Sequence, residues 1–159
     1  RCPVSTTTTR STIFNLSHQH TRSHVARAHF EGIAYNLRWT IENMEKDFRL
    51  KVEELKITGG GTFNATWMQI IADITQRKII TMSQPKNAGA LGAAMCALVG
   101  SGVYKDFNAI RNMIQPARVF VPDPSTRPVY DALFTGYQAL YRSLRTTYAA
   151  INSARFENK

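Results

Sequence analysis

Three consecutive glycines, Gly59, Gly60 and Gly61, constrain this chain more than any other feature, because they join a predicted strand to a predicted helix. Residues 55–58 have the composition of a short strand, and residues 64–76 have the apolar spacing of a helix. Glycines remove all side chains from the place where the backbone turns, and they tolerate positive φ. The chain therefore has a turn whose backbone other groups can approach closely.

Such a turn can hold a ligand or can be purely structural. A flat group such as an adenine or a ribose can lie directly on the backbone, and the amino terminus of the following helix favours anionic or polar ligand atoms. Asn64 can hydrogen-bond a nucleoside or can cap its own helix. The pattern is neither the dinucleotide-binding glycine motif nor a phosphate-binding loop with its lysine, so a tight structural turn stays an alternative.

A long helix is predicted before the glycine turn. Residues 1–16, rich in Thr and Ser, read as a loop or a displaced arm. The helix then runs over residues 17–47, and Ser17 is the expected cap. Its apolar stripe consists of Val25, Ala28, Ile33, Leu37, Ile41, Met44 and Phe48.

Helices and short strands alternate after the turn, which indicates an α/β fold. We expect a strand over residues 78–82, a helix of small residues over 90–99, and a short helix from Asp106 to Ile114. Residues 119–121 are extended, and a last helix with an aromatic packing stripe covers residues 126–151. Two or three strands are few for an independent doubly wound sheet, so part of the sheet is expected to lie outside this chain.

Composition narrows the partners. The net charge is +9, but the 20 Lys and Arg are scattered. This scatter favours basic residues that lie on solvated faces and attract polyphosphate over a surface that binds nucleic acid.

No apolar run is long enough for a membrane span, and the amino terminus has no signal-peptide pattern. The two cysteines, Cys2 and Cys96, are far apart, which predicts a reducing cytoplasm and no zinc site. The start at Arg1 indicates a piece of a longer chain.

Four ordered blocks resemble the FGGY family of carbohydrate kinases, and within it the xylulokinases. Residues 21–34 resemble the family helix HTRxHxxRAxxEGIA, residues 57–74 its signature GGGxxxxWxQIxADI, and residues 88–94 its AGALGAA segment. Residues 120–123 and 130–141 resemble its closing helix. The resemblance implies a ribonuclease-H-like (actin-like ATPase) domain, incomplete here and with long packing helices. Residues 17–159 would be part of the second, nucleotide-binding domain.

The resemblance also implies which residues bind. Gly60 and Asn64 match the family's adenosine contacts, and Gly59 and Gly61 shape the same turn. The implied cofactors are ATP or ADP, with Mg²⁺ in the parent protein. Glycines and alanines of the 88–94 segment, Gly89, Ala90 and Gly92, are expected to pack the third helix against the adenosine site. Other residues at matching places are expected to be structural, namely Trp67 and Gln69 in packing and Glu31 in an ion pair with Arg27.

The family's phosphate-binding hairpin, its catalytic aspartate and its sugar pocket have no counterpart in this chain. We therefore expect no catalytic and no metal-binding residue here. The parent would be an ATP-dependent kinase of a ketopentose such as xylulose, or of a related sugar or polyol, and the chain alone would be inactive. The alternatives are a non-catalytic actin-like nucleotide-binding module and, third, a basic nucleic-acid binder. The missing amino-terminal domain is one expected partner, and a second copy pairing at an open sheet edge is another.

Overall fold

The structure is a computed structural model that describes residues 3–4 and 6–153, without the side chain of Asn112. Cys2 and part of the predicted amino-terminal arm lie outside the described residues. The described residues form two compact units, and the boundaries are Lys51/Val52 and Asp123/Pro124. We call the unit formed by both ends of the chain the helical unit, and Val52–Asp123 the sheet unit. The elements are α1 (Arg22–Phe48), β1 (Glu54–Ile57), α2 (Ala65–Thr75), β2 (Lys78–Met82), α3 (Ala88–Gly100), β3 (Pro116–Phe120) and α4 (Arg127–Asn152).

The predicted start of the first helix was wrong. α1 begins at Arg22, with Thr21 as its cap residue in extended conformation. The Thr21 amide donates a hydrogen bond to Nδ1 of His24 at 3.0 Å, which satisfies the amide just before the helix. Ser17 instead closes a separate turn, in which the His20 amide donates to the Ser17 carbonyl at 3.1 Å.

The helical unit is held by aromatic rings between α1 and α4. Tyr35 stacks on Phe134, with ring centroids 6.1 Å apart, and meets Tyr130 edge-on at 6.2 Å. All three rings are buried. The Arg38 guanidinium lies 4.3 Å from the centroid of the Phe134 ring, which adds a cation–π contact. These contacts make the seam between the two helices the core of this unit.

The predicted stripe of α1 is only partly buried. Ile41 is buried as expected, but Ile33 is 54% exposed and Phe48 is 71% exposed. A seam between two helices is narrow, so only one flank of a wide apolar face can enter it. The flank that enters carries Ala34 and Tyr35.

Ion pairs lie beside this seam, and their charged groups bind partners on α1 and α4. Arg27 and Glu31 pair at 2.8 Å, as the sequence predicted, and the Tyr130 hydroxyl bridges them. Arg38 binds Asp131 at 2.7 Å. Burial is the largest single influence on Asp131 and raises its pKa, but the hydrogen bonds and positive charges of Arg38 and Arg127 together outweigh it, so the pKa of that carboxyl lies below its usual value. The charged groups Arg27, Glu31, Arg38 and Asp131 at this seam therefore have structural partners.

The sheet unit has three strands in the order β1-β2-β3. β1 and β2 are parallel, with Leu55 opposite Ile79, and α2 is the crossover between them. β2 and β3 are antiparallel, with Ile79 opposite Phe120. β2 has the predicted bounds, and Ile79 and Ile80 are both buried, although alternation directs them to opposite faces. The largest side chains of this unit that are almost inaccessible to solvent are those of Met68, Ile74, Ile79 and Ile110.

A polar network fixes the chain after β3. Oδ1 of the buried Asp73 accepts hydrogen bonds from Nε2 of Gln69 at 2.8 Å and from the Asp123 amide at 2.9 Å. Nε2 of Gln69 also donates to the Val121 carbonyl at 2.9 Å. Gln69 is therefore structural, as the sequence predicted.

The helix predicted from Asp106 to Ile114 was wrong. Oδ1 of Asp106 accepts hydrogen bonds from the amides of Asn108 and Ala109, but the chain continues in turns up to a short 3-10 helix at Arg111–Met113. An Asp side chain that binds amides two and three residues ahead serves a turn as well as it serves a helix cap.

Within the described part of the chain, none of the helices has the length and apolar character that crossing a membrane requires.

Candidate functional site

The glycine turn lies where β1 ends and before α2 begins, at the carboxyl edge of the parallel strand pair. Ligands of open α/β sheets bind at this edge. Gly60–Phe63 form a short 3-10 helix, and Asn64 follows it. The sequence-predicted residues Gly59, Gly60, Gly61 and Asn64 are thus placed together by one local connection.

The structure explains two of the three glycines, each for a different reason. Gly59 has a φ of +101°, a conformation that side chains disfavour. A Cβ placed on Gly61 would stand 2.6 Å from Cζ3 of Trp67, so the indole ring requires a glycine there. A Cβ placed on Gly60 would meet nothing within 4 Å among the described residues, and its φ is not positive. Packing explains Gly61 and backbone conformation explains Gly59, whereas the space over Gly60 is open.

Thr62 stabilises the turn from within, a role that the sequence analysis missed. It is buried, and its hydroxyl donates to the Gly59 carbonyl at 2.7 Å. A second turn, at Pro85–Asn87, is joined to the first. The Gly59 amide and the Thr58 hydroxyl both donate to the Pro85 carbonyl, at 3.1 and 3.2 Å. The two turns therefore form one continuous surface.

Asn64 caps α2. Its Oδ1 accepts a hydrogen bond from the Trp67 amide at 3.0 Å, so one of the two predicted roles is confirmed. The cap uses only the oxygen of the side-chain amide, and its Nδ2 group is a separate donor with two protons. A cap and a ligand contact are therefore compatible at this residue.

Phe63 and Lys86 border the open backbone, and the sequence analysis did not select either. Phe63 is 61% exposed. The Lys86 ammonium, on the second turn, lies 5.4 Å from the centroid of the Phe63 ring. No sequence pattern pairs these residues, because 23 positions separate them and only the joined turns bring them together.

The expected role of the small residues of α3 was wrong. Gly89, Ala90 and Gly92 are exposed, and a Cβ on Gly89 or Gly92 would meet nothing within 4 Å among the described residues. The helix buries Met95 instead. Small residues permit close approach of a neighbour but do not by themselves provide one.

The surface suits a flat polar ligand better than a metal ion. The backbone over Gly60 is open, and a donor and an aromatic ring stand beside it. Among the described residues there is no group of three or more His, Cys, Asp or Glu side chains that could hold a metal. A cavity of about 540 Å³ in the sheet unit is lined by other residues, including Glu54, Ile80 and Ile110. Gly60 and Phe63 of the glycine turn are exposed, so a ligand there needs a second wall.

Comparisons with known proteins agree with this fold. The model of the FGGY family of carbohydrate kinases, C-terminal domain, matches residues 1–101. An L-xylulose/3-keto-L-gulonate kinase of Escherichia coli (strain K12) is 34% identical over 133 residues, which are 83% of this chain and 26% of that protein. The chain belongs to the FGGY family and corresponds to its C-terminal domain.

Solved structures support the same assignment. A ligand-bound xylulose kinase from Lactobacillus acidophilus is similar with a TM-score of 0.84 and 28% identity, over 96% of this chain and 31% of that one. A Plasmodium falciparum glycerol kinase solved with ADP is similar with a TM-score of 0.70 and 27% identity, over 85% and 27%. The fold is therefore the actin-like ATPase fold of sugar kinases. The chain spans about a quarter to a third of the length of these relatives.

Proposed function

We propose that this chain supplies the adenosine-contacting side of an ATP-dependent carbohydrate kinase. The observation that carries the proposal is the open backbone over Gly60, at the ligand edge of the sheet, in a member of a sugar-kinase family. In this proposal Gly59, Gly60 and Gly61 present the backbone to the nucleoside, and Nδ2 of Asn64 donates a hydrogen bond to it.

The role of these residues is to bind and to orient. ATP, when bound, supplies the phosphoryl group that is transferred. Phosphoryl transfer depends mainly on positioning and on stabilisation of charge, and the glycine turn offers only positioning. We assign the catalytic base, the grip on the phosphates and on Mg²⁺, and the sugar pocket to other parts of the protein, and we expect the 159-residue chain alone to be inactive.

The substrate class rests on the relatives. Their names include xylulose, L-xylulose and glycerol kinases, so we propose a ketopentose such as xylulose, or a related sugar or polyol. ATP and sugars of this kind meet in the cytoplasm, which is the location that we propose. Nucleic acid and membrane have no part in this proposal.

The first experiment asks whether the complete protein that carries this chain is a kinase. We expect ADP release from ATP when D-xylulose, L-xylulose, gluconate or glycerol is present, and background release without them. A complete protein that binds ADP but consumes no ATP with any of these compounds would contradict the kinase and favour a non-catalytic nucleotide-binding module.

The second experiment tests the site itself through Gly60→Val. The Cβ of the new side chain meets no described neighbour within 4 Å, so we expect the free energy of unfolding to stay nearly unchanged. The same atoms would occupy the space proposed for the nucleoside, and we expect the KM for ATP to rise about tenfold or more, in line with the cost of overpacking.

Gly100→Val is the matched control for this substitution. Gly100 is equally open and lies at the far end of α3, about 18 Å along that helix from its first residue. The control should leave the KM for ATP unchanged. Equal KM values for Gly60→Val and the parent sequence would remove Gly60 from the site.

A further inference from the structure

The exposed ring of Phe63 is unusual in its placement rather than in its exposure. Single apolar side chains at a protein surface are common and need no explanation. Phe63, however, directly follows the open glycine turn, and the Lys86 ammonium lies over its ring at 5.4 Å. Exposure forgoes most of the stabilisation that burial of a Phe side chain provides. The ring therefore contributes little to the stability of the sheet unit.

Backbone contacts fix the relative position of the two partners. Phe63 belongs to the 3-10 turn that Thr62 braces, and Lys86 belongs to the turn whose Pro85 carbonyl accepts from Gly59 and Thr58. Both turns are thus held together independently of the Phe63 and Lys86 side chains. A cation can occupy only one face of the ring at a time, and the 61% exposure of the residue leaves ring surface in contact with solvent.

We propose that Phe63 is a base-selecting residue of the nucleotide site and that Lys86 is the residue that positions its ring. This inference rests on the proposed function. An aromatic side chain beside an open backbone offers a π-face on which a nucleobase can stack, and such stacking favours the larger surface of a purine. The Lys86 ammonium restrains the ring through the cation–π contact and so reduces the ordering that base binding would require.

The test of Phe63 is its replacement in the complete protein. We expect Phe63→Ala to raise the KM for ATP about tenfold, within the range measured for base–aromatic stacking, and to raise the KM for UTP less. The kcat and the KM for the sugar should change less than about twofold, because the ring does not touch the reacting atoms. Phe63→Trp should restore the affinity for ATP and the preference for ATP over UTP.

The matched control is Phe107→Ala, since Phe107 is 59% exposed and lies in the same unit. It should leave both KM values unchanged. An unchanged KM for ATP in Phe63→Ala, or an equal rise in Phe107→Ala, would overturn the role of Phe63. A merely structural role of Phe63 would not remove the difference between the KM for ATP and the KM for UTP.

Lys86 is tested with a phosphate-free ligand. Lys86→Met should weaken ATP binding and competitive inhibition by adenosine by the same factor, about two- to fivefold for an exposed cation–π contact. If only ATP weakens, Lys86 contacts a phosphate, and its positioning role is wrong. Lys105→Met, at another exposed lysine of the sheet unit, is the control.

Failure of the inference and failure of the proposed function are distinguishable. A complete protein without ATP consumption contradicts the kinase, and calorimetry with ADP and UDP then still compares Phe63→Ala with the parent sequence. An active kinase whose Phe63→Ala variant keeps its KM for ATP retains the proposed function and loses only this inference.

Discussion

The two units of the chain differ in whether their notable polar and aromatic groups are buried and paired or exposed to solvent. In the helical unit the rings of Tyr35, Tyr130 and Phe134 are buried against each other, and Arg27, like Arg38, has an acidic partner. In the sheet unit the most informative groups face solvent: the backbone of Gly60, the ring of Phe63 and the ammonium of Lys86.

This difference between buried, paired groups and exposed groups indicates where to look for a binding site in a chain with many charged and aromatic residues. Arg27 and Glu31 form an ion pair within their own unit. The pKa of Tyr137, on α4, is raised because its side chain is packed away from solvent. The backbone of Gly60, in contrast, faces open space that no described side chain fills. Removal of a group should therefore reduce stability in the first unit and ligand affinity in the second.

Among the substitutions that test this difference between the two units, Phe134→Ala is expected to have the largest effect on the free energy of unfolding. The substitution removes a buried ring that stacks on Tyr35 and carries Arg38, and we expect a loss of about 3–5 kcal/mol in the free energy of unfolding. Urea denaturation measures this loss. Leu133→Ala, at a neighbouring residue that is 51% exposed, should cost far less. Similar losses for the two variants would show that the seam is not the core of the helical unit.

A smaller effect separates the glycines from one another. Gly61→Ala forces a methyl group to within 2.6 Å of the Trp67 ring, and we expect it to cost about 1–3 kcal/mol of stability. Gly60→Ala should cost little, because the same methyl group meets open space. Thermal unfolding of both variants checks this order. If Trp67→Leu does not recover part of the loss in the double variant, the clash is not its cause.

The smallest effect concerns the two roles of Asn64. Asn64→Ala removes the cap of α2 and should cost about 1 kcal/mol, whereas Asn64→Asp keeps an acceptor for the Trp67 amide and should cost almost nothing. Both variants lose the Nδ2 donor, so both should weaken ATP binding if that group contacts the nucleoside. An Asp variant with unchanged stability and unchanged KM would reduce Asn64 to a cap.

Local signals made parts of the sheet unit predictable, although the helix expected from Asp106 to Ile114 is not among them. The apolar pair Ile79–Ile80 located β2 with its observed bounds, and Asn64 marked the start of α2 because a cap is written in the sequence next to the helix it serves. The glycine turn was found for the same reason. Which of its glycines face open space was not predictable, since that depends on where the Trp67 ring lies.

Some of the errors come from non-local contacts, and others from local alternatives that composition does not separate. Periodicity placed Ile33 and Phe48 on the apolar face of α1, but the position of α4 decides which flank is buried. Thr21 rather than Ser17 precedes the helix because His24 accepts from its amide, and both residues are plausible caps by composition. The Phe63–Lys86 contact was missed because it depends on a backbone hydrogen bond between two turns.

That hydrogen bond, from the Gly59 amide to the Pro85 carbonyl, has an evolutionary consequence. It joins main-chain atoms, so its formation does not depend on which side chains stand at positions 63 and 86. Those two positions can drift while the junction persists, and new residues there are presented to the same open backbone. At the proposed nucleotide site, substitutions at positions 63 and 86 can therefore change the nucleotide preference with little effect on the folding of the sheet unit.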